Sequence, residues 1–290
     1  MTEKGLIQLL LKQFLDEETA TEYLVEKRWG DKITCPHCDG DKVNRISGTQ
    51  PFKCSPCNKK FSVKTGTFMH NSHMSIRVWL VVMFFMSKSK QGITSVDLAE
   101  YIGVRQGTVW SMCQRIRTAC EQRYGILKGI VEADETYFGG KERNKHRSQR
   151  VYQGRGVANK IAVIGIKERD GKVIAKVVDN TKKETLQNYI ATNVSKNSAV
   201  ITDEHKSYTG LNKLGYQHHT VNHSKGEYVD GVAHTNSIES FWALLKNTIY
   251  GTHNYVRNQY LQSYINEITF KRNTTDYIGD ICGNLTLNKG

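Results

Sequence analysis

Long apolar runs are missing from this 290-residue chain, and no stretch approaches the roughly 20 residues that a bilayer-spanning helix needs. The most apolar segment, residues 76–86, is about half that length and reads as a buried helix. The opening MTEKGLIQLLLKQFLDEE has a short apolar part broken by Lys12 and no cleavage pattern after it, so no secretion signal is expected. Prolines number only three and hydrophobic residues make up 38%, a composition that argues against wholesale disorder. Acids are in deficit, 28 against 41 lysines and arginines, for a formal charge of +13. A surplus of that size draws a protein to polyanions, nucleic acid ahead of an anionic membrane, although a generic basic protein carries it too. Four of the seven cysteines stand in two tight pairs. That usage excludes a disulfide framework in favour of metal binding in a reducing compartment, with the cytoplasm as the default.

Residues 5–29 have the pattern of an amphipathic helical pair, the second segment starting at Asp16. Cys35-Pro-His-Cys38 and Cys54-Ser-Pro-Cys57 follow, fifteen residues apart. Each knuckle supplies two thiolates from one tight turn, and two such turns complete a tetrahedral zinc shell. The intervening Val43, Arg45, Ile46, Phe52 and Lys53 suggest short strands, so the segment reads as a zinc ribbon whose folding the metal drives. His37 is a bystander within its turn. Residues 92–117 have helix-turn-helix grammar: Ser95 as first cap, Leu98, Ala99 and Ile102 inward, Gly103 at the turn. A recognition helix from Gln106 would present Arg105, Gln106 and Thr108 to base edges; an ordinary helical hairpin is the alternative. Cys113 and Cys120 read as buried small hydrophobes.

From residue 128 the period changes. Residues 130–138 read as a strand with Asp134 near its end, and 160–178 as a hairpin turning at Asp170-Gly171. A helix over 183–194, a buried strand ending at Asp203 and a short strand near 216–222 come next. An amphipathic helix over 234–249 follows, with Ile238, Phe241, Trp242, Leu245 and Ile249 on its stripe. Three meandering strands followed by alternating helices and strands is the order of a ribonuclease H-like α/β sheet. Between the first two strands, residues 141–160 carry seven basic residues, Arg143, Arg147, Arg150 and Arg155 among them, against one acid. A solvated loop is one reading, and a clamp on a DNA backbone is the other. The polar tail after Arg272 carries no signal.

Strand ends in one sheet can bring Asp134, Asp203 and Glu239 together, and hard oxygen ligands suit Mg²⁺ or Mn²⁺ in phosphodiester chemistry. Each also has a bland reading. Asp134 sits between Glu132 and Glu135, and Glu204 follows Asp203. Asn236 and Glu239 have the N-cap and N3 relation of a capping box, which explains Glu239 without chemistry. The scattered histidines, His205 among them, read as surface or DNA-proximal residues.

Zinc ribbon, helix-turn-helix, Val-Glu-Ala-Asp134-Glu-Thr-Tyr-Phe-Gly-Gly-Lys, Ile-Thr-Asp203-Glu-His-Lys-Ser-Tyr and His234-Thr-Asn-Ser-Ile-Glu239-Ser-Phe-Trp-Ala-Leu-Leu-Lys246 occur in that order. Over roughly residues 5–272 the chain resembles the zinc-ribbon-bearing DDE transposases of bacterial insertion sequences, ISXO-like proteins related to the eukaryotic Merlin elements. The resemblance implies an N-terminal helical segment (1–30), a zinc ribbon (31–66) and a helix-turn-helix region (67–126). These precede a ribonuclease H-like catalytic domain (127–272) and a tail (273–290). It implies Asp134, Asp203 and Glu239 as Mg²⁺ or Mn²⁺ ligands, Asn236 being an open alternative for the third, and Lys246 as a DNA contact. Zn²⁺ in the ribbon, cleavage at element ends and joining of a 3′-hydroxyl to target DNA are implied as well. The partners would be terminal inverted repeats and target duplex, engaged by a homodimer or higher oligomer at the bacterial nucleoid. A DNA-binding regulator or inactive derivative explains the same upstream modules but leaves the carboxylates idle. A stand-alone nuclease would not need those modules.

Overall fold

A computed structural model of the chain describes residues 16–121, 124–140, 146–149, 160–221 and 235–283. The chain divides into two compact units, residues 1–121 with 274–290, and residues 122–273. Among the described residues no helix is long and apolar enough to cross a membrane.

The first unit opens with helix α1 (Glu17–Trp29), capped by Asp16, whose side chain accepts the Thr19 N–H at 2.7 Å. The first segment of the expected helical pair falls mostly outside the described residues. Three short antiparallel strands follow, β1 (Val43–Arg45), β2 (Phe52–Cys54) and β3 (Lys60–Phe61). So small a sheet has almost no core, and Trp29 supplies part of one by packing edge-on against Phe52 and Phe61. Helix α2 (Ile76–Lys88) buries Trp79, Leu80, Val82 and Met83. Helices α3 (Ser95–Ile102) and α4 (Gln106–Ala119) are joined through Gly103, left-handed at φ 65°. The cap of α3 is Thr94 rather than the expected Ser95, because the Thr94 hydroxyl accepts the Asp97 N–H at 3.1 Å. Ser95 instead accepts the Gln106 side-chain amide at 2.8 Å. Cys113 and Cys120 are buried in α4 and at its end. A further helix, Tyr277–Gly283, belongs to this unit and buries Ile278 and Ile281.

The second unit is built on a five-stranded sheet: β4 (Ile130–Phe138), β5 (Ile161–Glu168), β6 (Val173–Val178), β7 (Ala199–Thr202) and β8 (Gln217–Thr220). Their spatial order is β6-β5-β4-β7-β8. The first three are antiparallel, and β7 and β8 run parallel to β4, which is the ribonuclease H-like arrangement. The hairpin turns over residues 168–171, where the Gly171 N–H donates to the Glu168 carbonyl at 3.0 Å and Asp170 is left-handed at φ 57°. Helix α5 (Lys183–Asn193) covers one face of the sheet with Leu186 and Ile190. Helices α6 (Asn236–Lys246) and α7 (Asn258–Asn273) cover the other through Ile238, Phe241, Trp242, Leu245, Leu261, Ile265 and Ile268. Strand β6 would be a bare edge, but α7 closes it: Gln262 accepts the Val177 N–H at 2.7 Å and Asn273 the Val173 N–H at 2.9 Å.

Candidate active site and zinc centre

Strand β4 is the centre of the sheet and its period of two sorts its side chains by face. Val131 and Ala133 point to the α5 side; Phe138 points to the α6 side, so Glu132 and Asp134 share the α6 face with it. Asp134 lies in the middle of the nine-residue strand, not near its end. The parallel register pairs Glu132 with Ile201; β7 ends at Thr202, and Asp203, the next residue, lies close enough for its charge to act on Asp134.

Burial raises the Asp134 carboxyl from 3.8 to about 7, and the charges of Glu135 and Asp203 push the same way. Its Oδ2 accepts the Trp242 indole N–H at 2.9 Å. Among the described residues neither Asp134 nor Asp203 forms an ion pair with a lysine or arginine. Among the described residues negative charge is thus gathered with no lysine or arginine paired to these two aspartates, and the donors are oxygens. That set fits a hard divalent cation.

Glu135 points to the other face. Its carboxyl is raised mainly by burial, against the Tyr208 hydroxyl, which donates to it at 2.7 Å. His205 Nδ1 stands 3.8 Å from the other Glu135 oxygen, and the His205 N–H donates to Asp203 Oδ1 at 3.0 Å. His205 is therefore part of the acid cluster rather than a plain surface histidine.

Glu239 is exposed on the first turn of α6, three residues before Trp242, and accepts the Thr235 hydroxyl at 2.9 Å. It is not in a capping box with Asn236: the N-cap is Thr235, and Asn236 is the first helical residue. The N–H groups of Ser237 and Ile238 go instead to Glu132 Oε2, at 2.9 and 3.0 Å. Among the described residues Asp134, Asp203 and Glu239 do not close into a set with all ligand atoms within 4.8 Å; the four cysteines alone do.

Lys246, half-buried, is the last residue of α6, two turns beyond Glu239, and a π-helical turn, Asn247–Thr252, follows it. Arg147 is exposed in a short 3₁₀ turn; Arg143, Arg150 and Arg155 lie outside the described residues, as does His234. Arg105 and Gln106 are exposed at the start of α4 and Thr108 is half-buried there.

In the ribbon, Cys35 and Cys57 sulfurs are 3.7 Å apart and those of Cys38 and Cys54 3.5 Å. A tetrahedron with Zn–S bonds of about 2.3 Å has edges of about 3.8 Å, so the four thiols are already spaced for zinc. The Lys59 backbone N–H, helped by neighbouring sulfurs, lowers the Cys57 thiol to about 7. His37 stays out of the set and meets the Phe61 ring edge-on.

Three residues that shape the site were passed over in the sequence. Glu132 was discounted as a neighbouring acid, although its period-two relation to Asp134 was readable. Trp242 was counted as core only. Gly165, paired with Asp134 across β4–β5, carried no local signal; a Cβ there would lie 2.5 Å from the Trp242 ring.

A family model for the ISXO2-like transposase domain matches residues 126–273, and one for the transposase zinc-ribbon domain matches residues 15–60. The chain belongs to the ISXO2-like transposase family. Its ribbon and four-cysteine cluster make it a zinc-binding member. A protein of the transposable element ISH50 from Halobacterium salinarum, described as uncharacterized, is 28% identical over 278 residues, covering 90% of this chain and 92% of that one. Among solved structures, a simian T-cell lymphotropic virus intasome in complex with PP2A regulatory subunit B56 gamma matches at 14% identity and TM-score 0.30, covering 59% of this chain and 63% of that one. A Mos1 transposase paired-end complex with left transposon end matches at 14% identity and TM-score 0.22, covering 48% and 57%.

Proposed function

We propose that this transposase cuts DNA at the ends of its element and joins the freed 3′-hydroxyl to target DNA, with Asp134, Asp203 and Glu239 holding Mg²⁺ or Mn²⁺. The observation that carries the reading is Asp134 on the central strand with Asp203 just past the end of its parallel neighbour, burial and the charges of Glu135 and Asp203 raising Asp134 to about 7. Bound divalent cations would activate the attacking hydroxyl and stabilise the leaving oxygen at phosphorus. The chain's own contributions are separable. Asp134 and Asp203 supply the fixed oxygens, and Trp242 orients one carboxylate by its indole N–H. Glu239 supplies the third carboxylate from α6, and Lys246 contacts a phosphate two turns further on. Aromatic side chains and Lys160 line a cavity of about 570 Å³ beyond the end of β4, where Tyr255 is 68% exposed, a surface suited to a DNA strand leaving the site.

Upstream, the ribbon over 31–66 and the helix-turn-helix over 67–126 recognise the terminal inverted repeats, with Arg105, Gln106 and Thr108 nearest the bases. Arg143, Arg147, Arg150 and Arg155 clamp the backbone beside the catalytic domain at 127–272. Two or more copies pair the element ends, and the reaction takes place on the chromosome, in the cytoplasm at the nucleoid.

The test is strand transfer with full-length protein, Mn²⁺ or Mg²⁺ and a labelled element end. Joining should be lost in Asp203→Ala with end binding retained, and lost as well in Glu239→Gln. Binding by the unmutated protein with neither cleavage nor joining would identify a DNA-binding regulator instead. Joining untouched by Glu239→Gln would remove that residue from the ligand set.

A further inference from the structure

We infer that Glu132 is a positioning residue: it caps helix α6 from strand β4 and thereby sets Glu239 at the height of the metal site. This rests on the reading of Glu239 as third ligand.

Helix α6 starts without a side-chain cap of its own. The first N–H groups of any helix lack intrahelical acceptors and carry the positive end of its dipole. Here two of them, on Ser237 and Ile238, donate to a single oxygen of Glu132, a residue 105 positions away in sequence. Its other oxygen accepts from Arg169 Nη2 at 3.3 Å, and the residue is fully buried. Stripping a buried carboxylate of such partners is costly, so these donors and the carboxylate form one interdependent unit. Charge-assisted bonds of this kind also have narrow geometry, which makes them effective for placing one element on another.

The same strand holds α6 a second time, through Asp134 and the Trp242 indole. Glu132 and Asp134 are two residues apart, about 6.6 Å along a strand. The helix positions they bind, Ser237–Ile238 and Trp242, are separated by four to five residues, about 6–7.5 Å along a helix. The spacings agree, so strand and helix run in the same sense and are pinned at two points. Glu239 lies between those points. Glu132 also takes over the capping duty that an N-cap side chain otherwise performs, while the Glu239 carboxylate accepts the Thr235 hydroxyl.

The experiment titrates Mn²⁺ alone into the full-length protein by calorimetry. Variants are Asp134→Asn, Glu132→Gln, Glu132→Asp and Leu186→Ala, the last a destabilising control on the opposite face of the sheet. Mn²⁺ binding abolished in Asp134→Asn establishes the site itself. Affinity at least tenfold weaker in Glu132→Gln and Glu132→Asp, but unchanged in Leu186→Ala at a similar loss of melting temperature, supports positioning. With Glu239→Gln titrated alongside, wild-type affinity in either Glu132 variant overturns the inference if Glu239→Gln weakens binding, and overturns the third-ligand reading and the inference together if it does not. No Mn²⁺ binding by the wild type, or binding unaffected by Asp134→Asn, removes the metal site and the inference with it. Hydrogen exchange in the unmutated protein needs no variant to fold: the Ser237 and Ile238 amides should be protected, and exchange at open-chain rates overturns the capping.

Discussion

Gly165→Ala is a small change with a large expected effect. Gly165 stands opposite Asp134 in the β4–β5 ladder, under the Trp242 ring. A methyl group there would sit 2.5 Å from Cζ2 and Cη2 of Trp242 and 3.0 Å from Cδ1 of Ile238. Carbon contacts settle at about 3.5–4.0 Å, so the indole must retreat by about 1 Å. That retreat stretches the 2.9 Å bond from its N–H to Asp134 beyond hydrogen-bonding range. Overpacking costs about 1–3 kcal/mol and the lost bond about another 1–2 kcal/mol, against less than about 1 kcal/mol recovered from the reduced freedom of the unfolded chain. The expected net loss is about 3 kcal/mol, or about 6–12 °C in the melting temperature of a unit this size. Calorimetry of four proteins tests it: wild type, Gly165→Ala, Trp242→Phe and the double variant. A phenylalanine ring lacks the outer edge of the indole, so the double variant should lose about 1–3 kcal/mol less than the sum of the single losses. A Gly165→Ala protein melting within 1 °C of wild type, or strictly additive losses, would refute the reasoning.

The raised Asp134 carboxyl makes stability depend on pH in a defined direction. Its folded value of about 7 exceeds the ordinary 3.8, so the folded protein holds this proton more tightly, and the group's contribution falls as pH rises from about 4 to 7. In metal-free buffer Asp134→Asn should match wild type near pH 4 and exceed it above pH 7, by at most about 4 kcal/mol, in thermal melts; no gap opening over that window would refute the shift. Cys54→Ser should lower bound zinc from one equivalent to none by metal analysis, whereas Cys113→Ser, at a buried thiol outside the cluster, should keep it. Lys246→Ala should weaken element-end binding equally on all sequences and reduce the salt slope by about one ion, measured by fluorescence anisotropy across salt.

Much of the architecture was legible because it is local. The Asp170-Gly171 turn, the stripe on α6 and the two cysteine knuckles each state their structure within a few residues. The register of β7 on β4 was not legible, yet the order of the strands made convergence of Asp134 and Asp203 a reasonable expectation. Misreadings arose where a distant group overrode a local rule. Asn236 and Glu239 look like a capping box, but the helix starts one residue earlier: Thr235 is the N-cap, its carbonyl accepts the Glu239 N–H, and Glu132 accepts the next N–H groups from across the fold. Ser95 looks like a cap, but the preceding Thr94 performs that task. The short helix Tyr277–Gly283 has too few residues for a readable period; its place comes from the core that receives Ile278 and Ile281. Roles within the acid cluster were the least readable, since Glu132, Asp134 and Glu135 are adjacent acids until the pleat separates them.

The central position of β4 bears on the order in which this centre comes apart. Its residues are laddered to β5 along its whole length and to β7 at its start, so its amides should be among the last to exchange, opening only with the unit as a whole. Among the described residues helix α6 has no backbone-to-backbone ladder to it, being held through the side chains of Glu132 and Asp134 and by packing, and can lift away in a smaller event. With the proposed ligand set, partial unfolding would then shed Glu239 while Asp134 and Asp203 stay with the sheet, leaving a cation-binding remnant without catalytic competence. Assembly in reverse would make the docking of α6 the step that arms the transposase.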